Sequence, residues 1–161
     1  MRAGTPKRSK RQIAAALVLA VVMGGIAACA AQQPAPDLKA KADAAQGSDK
    51  INLSLEYAHR ELEYSNKLYT DGDVEKAEAA IAETMTYAKQ AAAASSTTNK
   101  RLKQTEIDLR KLEHRMRDIG QSLSVDDRPP VEKSVQELEQ LRSSLLAKMF
   151  GEKAEPKEKS Q

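Results

Sequence analysis

A chain of 161 residues with 40% hydrophobic side chains, only 3% aromatics and no Trp has material for one modest core of Leu, Ile, Val, Met and Ala. Such a palette suits close-packed helices and excludes a strand-based fold, which needs β-branched and aromatic residues in alternation. The formal charge of +3 is no argument for nucleic acid, because five of the 26 basic residues (Arg2, Lys7, Arg8, Lys10, Arg11) precede the first apolar run; without them 21 face 23 acidic residues, close to −2.

After this basic start, residues 13–23 form an uncharged apolar run, and Gly24-Gly25 then breaks it ahead of small residues. That three-part order is the pattern of a secretory leader over residues 1–28. The next residues, Ile26-Ala27-Ala28-Cys29, resemble the lipobox of bacterial lipoproteins, matching it at all four positions. The resemblance implies a diacylglyceryl group on the Cys29 sulfur, cleavage after Ala28 and acylation of the new amine. Two or three acyl chains anchor firmly where one is marginal. Two readings compete with it. An uncleaved transmembrane anchor over residues 13–31 would have 19 residues, about the minimum span, weakened by glycines and alanines. Ordinary leader cleavage would leave Cys29 as an incidental thiol. Being alone, Cys29 cannot form an internal disulfide. Ala30 follows the cysteine where, in the sorting rule of two-membrane bacteria, Asp would favour the inner membrane. The expected location is therefore the cell envelope, at the outer membrane facing the periplasm.

Residues 29–50 are mostly Ala, Gln, Pro, Asp, Lys and Gly with one Leu, a composition expected to stay a lipidated flexible linker. The charged residues 151–161 read as a disordered tail. Between them, at residues 51–150, Gly72 and Gly120 fall where helices would end, and no Pro occurs from Asp37 to Arg128. The fold class expected is all-α, a small bundle of about four amphipathic helices on a disordered N-terminal tether.

The first helix, residues 52–69, carries Leu55, Ala58, Leu62 and Tyr69 on one face with Tyr57, Tyr64 and Leu68 beside it. Thr70-Asp71-Gly72-Asp73 supplies a turn and an N-cap. The second, residues 73–94, has Val74, Ala77, Ile81, Met85, Ala88 and Ala92 at three- and four-residue steps. Residues 62–92 resemble a single tetratricopeptide-type hairpin, which implies two antiparallel helices packed around the acidic turn; no second copy follows at the period of 34.

Ser95-Ser96-Thr97-Thr98-Asn99 reads as a break, the alternative being one continuous helix. The third helix, residues 98–119, places Leu102, Thr105, Leu109, Leu112, Met116 and Ile119 in one seam. Asp126-Asp127 and Pro129-Pro130 announce a fourth helix with Val131, Val135, Leu138, Leu141, Leu145 and Met149 inward. Residues 126–150 are also similar to the ends of exported bacterial helical proteins of unknown role. Leu62, Ile81, Leu112 and Leu138 are the expected centre of the core.

Chemistry is sparse. His59 and His114 lack the i, i+4 partner of a helical metal pair. Asp71, Asp73 and Glu75 begin like a calcium loop, but Lys76 and Ala82 stand where such a loop needs Gly and Glu. There is no Gly-rich phosphate loop or nucleophile elbow. The expectation is a protein that is not an enzyme and uses no cofactor.

Two surfaces remain. Tyr57, Tyr64, Tyr69 and Tyr87 all fall in the first hairpin and could face a partner, although packing at the core edge explains them better. Lys100, Arg101, Lys103, Arg110, Lys111, Arg115 and Arg117 crowd the third helix and could bind an anionic envelope polymer or lipid, although Glu106 with Arg110 and Glu113 with Arg117 already pair at i, i+4. The expected role is a membrane-anchored, non-catalytic component that binds or scaffolds an envelope protein. A self-associating coiled coil is the further alternative.

Overall fold

The computed structural model describes residues 36–151; residues 1–28, expected to be a leader, together with Cys29 and residues 152–161 of the expected tail, lie outside that range. The described residues are all-helical, in the order α1 (Pro36–Ala44), α2 (Gly47–Thr70), α3 (Val74–Thr98), α4 (Leu102–Ser122) and α5 (Arg128–Gly151).

Helix α1 corrects the linker expected over residues 29–50. Pro36 occupies the first helical position, where its missing N–H costs nothing, and Asp37 complements the positive end of the helix dipole. The helix contributes few apolar residues, but Leu38 and Ala42, one turn apart, are both buried against the body. Lys50 donates from Nζ to the Ala42 carbonyl at 2.7 Å, tying the end of α1 to α2. Low average hydropathy concealed a short amphipathic segment, so the folded body already includes Pro36–Ala44, ahead of the start expected near residue 51.

Helices α2 and α3 form an antiparallel hairpin with the most extensive helix–helix interface among the described residues. Gly72 takes φ +81° in the turn, a conformation L side chains avoid. Asp73 starts α3 without a side-chain capping bond; its carboxylate is taken by Lys76 instead, at 2.5 Å.

The expected break over residues 95–99 lies later, at Asn99 to Arg101. Thr98 Oγ1 bonds back to the Ala94 carbonyl at 2.7 Å, and Ser95 Oγ donates to the Lys100 carbonyl. Neither hydroxyl caps α4: Thr98 turns back on its own helix, and Ser95 ties the last turn of α3 to the corner that follows. Asn99 and Arg101 then turn the chain, both with φ above +50°.

Helices α4 and α5 make the second hairpin, where Gly120 lets Val131 approach: a Cβ on Gly120 would meet Val131 Cγ1 at 3.3 Å. The two hairpins pack so that α2 touches α4 and α3 touches α5, while α2 and α5 do not meet. Leu62, Ile81, Leu112 and Leu138 are each at most 2% exposed, at the centre of one continuous core. Arg115, seven residues before the end of α4, pairs with Glu63, seven before the end of α2. Both hairpin turns therefore lie at one end of the bundle. The α1–α2 and α3–α4 corners and the end of α5 lie at the other.

Candidate functional site

The four tyrosines divide. Tyr57 and Tyr87 are 4% and 3% exposed, with ring centroids 4.4 Å apart in a tilted pair. The expected partner surface is thus corrected for these two, whose rings are spent on packing. Tyr64 and Tyr69 are half-buried beside the small cluster of Leu68, Ala77 and Ala80 near the α2–α3 turn. Burial pushes the Tyr69 phenol up to about 12.

Beneath the tyrosine pair lies an interior carboxylate that no motif announced. Glu61 is 4% exposed, and its Oε2 has no hydrogen-bond partner. Burial, then repulsion from Glu83, raises its carboxyl to about 7, against the pull of Tyr57 and Lys39. Lys39 of α1 forms an ion pair with Glu83, and the Tyr87 hydroxyl donates to Asp43 Oδ1 at 2.6 Å. One lysine therefore serves a group of acids between α1, α2 and α3. The sequence did hold a signal: Ser54, Ala58, Glu61, Ser65 and Leu68 continue one buried stripe at helical steps.

A second interior network joins α4 to α5. Glu106 and Glu113 are both 3% exposed, and Arg142 donates to both. Arg110 adds a bond to Glu106 at 2.7 Å and Arg117 one to Glu113 at 2.7 Å, which are the i, i+4 pairs visible in the sequence. Burial raises the Glu106 carboxyl, but its bonds to Arg110 and Arg142 outweigh that and hold it below the ordinary range.

These pairings change the meaning of the basic helix. Of its seven cations, Arg110, Lys111, Arg115 and Arg117 are engaged by Glu106, Asp108, Glu63, and Glu113 with Glu139. Lys100, Arg101 and Lys103 are exposed and have no ion-pair partner among the described residues. The basic surface contracts to one corner, between α3 and α4.

His59 is half-buried, and burial lowers its imidazole against the pull of Asp108; His114 is exposed. No three His, Cys, Asp or Glu among the described residues are placed to hold a metal ion, and none of the described helices is long and apolar enough to cross a membrane. A groove of about 440 Å³ between the end of α4 and the start of α5 is lined by Arg117, Arg128, Glu132 and Glu139 around Gly120 and Val131, a balanced set of charges. Comparison with family models, curated proteins and solved structures finds no match. The lipoprotein and tetratricopeptide resemblances therefore rest on the residues quoted for them.

Proposed function

We propose that this chain is a lipid-anchored, non-catalytic component of the bacterial cell envelope that binds or scaffolds another envelope protein. The observation that carries the reading is Ile26-Ala27-Ala28-Cys29 behind a basic and then apolar leader. The helical body supports it: the interior carboxylates Glu106 and Glu113 are held by arginines, and four of the seven cations at and around α4 are engaged in ion pairs that tie the bundle together. The apolar seam of α4 supports the monomeric form over a coiled coil, since Leu109, Leu112, Met116 and Ile119 are at most 1% exposed within a single chain.

Only six residues separate Cys29 from Pro36, so the body's first helix lies within about 25 Å of a lipid on that sulfur even with the connection fully extended. Intact-mass analysis of the exported protein tests the anchor: the expected product begins at an acylated Cys29, and an unmodified thiol or a retained leader overturns it. Crosslinking in cells followed by affinity capture tests the scaffold role; enrichment of no envelope protein counts against it.

A further inference from the structure

We propose that the corner between α3 and α4, together with the last turn of α5, is the face that docks on an anionic phospholipid surface. This deepens the lipid-anchored reading and rests on it for the presence of a membrane nearby. The observation is a group of cations that folding does not explain. Lys100 and Arg101 lie between the negative end of α3 and the positive end of α4, where the two dipoles offset, and Lys103 lies in the first turn of α4, where a cation is unfavourable. No acid lies in the first turn of α4, and no side chain caps it. Arg101 also sits at φ +58°, where Gly would be less strained. Charge and conformation at this corner both cost stability, yet the residues are not drawn into the ion-pair system that occupies the rest of α4.

Apolar surface is exposed at the same level of the bundle. Arg142 bonds to Glu106 and Glu113, so eight residues further along α5, about 12 Å at helical rise, Phe150 reaches the level of Arg101. Phe150 is 67% exposed, with Met149 half-buried beside it. Long cationic side chains at the same level as an exposed ring match a bilayer interface, where the ring enters the headgroup layer and the ammonium or guanidinium meets phosphate.

Asp71, Asp73, Glu75, Asp126 and Asp127 gather at the opposite end, near the two hairpin turns. An anionic surface repels that end and attracts the corner. Val125, exposed there too, is followed directly by Asp126 and Asp127. Each surface Lys or Arg near an anionic membrane adds about fivefold to partition, so three give on the order of a hundredfold.

The test uses the full-length chain, exported with its leader and purified from membranes. It is mixed with vesicles of phosphatidylcholine, alone or with phosphatidylglycerol, and its lysines are acetylated briefly and quantified by mass spectrometry. The expected result is slower reaction of Lys100 and Lys103 on phosphatidylglycerol vesicles, with Lys67 and Lys76 at the other end unchanged. The protection should vanish in about 1 M salt, where the screening length is about 3 Å, and should weaken about fivefold in the R101Q variant, which keeps both reporter lysines. Equal protection of both ends, or protection independent of phosphatidylglycerol, overturns the proposal.

Flotation and intact mass of the same sample separate the two readings. A chain acylated at Cys29 that floats with phosphatidylcholine yet gains no protection from phosphatidylglycerol overturns the docking face alone. An unacylated chain that does not float with phosphatidylcholine, yet is protected at Lys100 and Lys103 by phosphatidylglycerol, overturns the anchor and supports the face.

Discussion

The Tyr87 hydroxyl donates to Asp43 Oδ1 across 2.6 Å, joining α3 to a helix 44 residues earlier in the chain. With Leu38, Ala42 and the Lys39–Glu83 pair, it is what holds α1 down. Tyr87→Phe keeps the ring stacked on Tyr57 and removes only this bond. The expected cost is about 1.5 kcal/mol, typical of a hydrogen bond to a charged acceptor. It should be concentrated in α1, as faster amide exchange at residues 38–44 with a small change in melting temperature. Unchanged exchange there would mean that Leu38, Ala42 and the contacts of Lys39 and Lys50 hold the helix without it.

Glu61 should make stability fall as pH rises towards neutrality. Its carboxyl is raised to about 7 in the folded protein, against about 4.3 in an unfolded chain. The folded state binds the proton more tightly, so the contribution is full below the unfolded value and is lost between it and about pH 7. Glu106 works the other way: its lowered carboxyl contributes above the ordinary range, a contribution lost on acidification below it. A stability optimum near pH 5 is expected from the two together. Glu61→Gln should flatten the limb between pH 5 and 8, and at pH 8 should be more stable than the parent by about 2 kcal/mol. Chemical denaturation at both pH values measures this; an unchanged slope would show that Glu61 does not control it.

Buried charge on α4 behaves differently because it is paired. Arg142→Met removes a partner shared by Glu106 and Glu113, leaving each with one arginine from its own helix. The expected loss is about 3 kcal/mol, since a buried carboxylate that loses its partner retains the cost of desolvation. The E106Q/E113Q/R142M variant should recover most of it. Urea denaturation of the two variants settles the point: equal instability would place the cost in packing of the Arg142 stem rather than in charge.

Why some of this was legible in the sequence, and some not, follows from the range of the interactions. Leu62, Ile81, Leu112 and Leu138 repeat with the helical period of their own segments, so their place at the core centre could be read locally. Glycine and proline punctuation likewise marked the hairpin turns. Helix α1 was missed because Leu38 and Ala42 are its only buried residues, and their burial depends on surfaces of α2 and α3. The division of the basic residues was hidden for the same reason. Arg115 meets Glu63 and Arg142 meets Glu113 only after the helices pack, whereas the i, i+4 pairs were visible beforehand. Glu61 fell within the apolar stripe of α2, but periodicity does not reveal whether a carboxylate there is paired.

Tyrosine packing can be separated from tyrosine recognition. Tyr57→Ala removes a ring that is 4% exposed and should cost about 3 to 5 kcal/mol. Tyr64→Ala, at a half-buried position, should cost roughly a third as much by the area it uncovers. If Tyr64→Ala instead leaves the melting temperature unchanged and abolishes capture of an envelope partner, the α2–α3 hairpin carries an interface at its half-buried edge.

Arg101→Gly sets folding against docking at a single residue. Arg101 holds φ +58°, and glycine relieves about 1 kcal/mol of steric cost there, offset in part by the added freedom of the unfolded chain. Its charge lies between the negative end of α3 and the positive end of α4, so the helix dipoles nearly cancel there. The variant should therefore melt slightly higher than the parent while losing about fivefold in binding to phosphatidylglycerol vesicles. A lower melting temperature with unchanged vesicle binding would mean that the arginine stem packs at the corner, and that its charge is incidental.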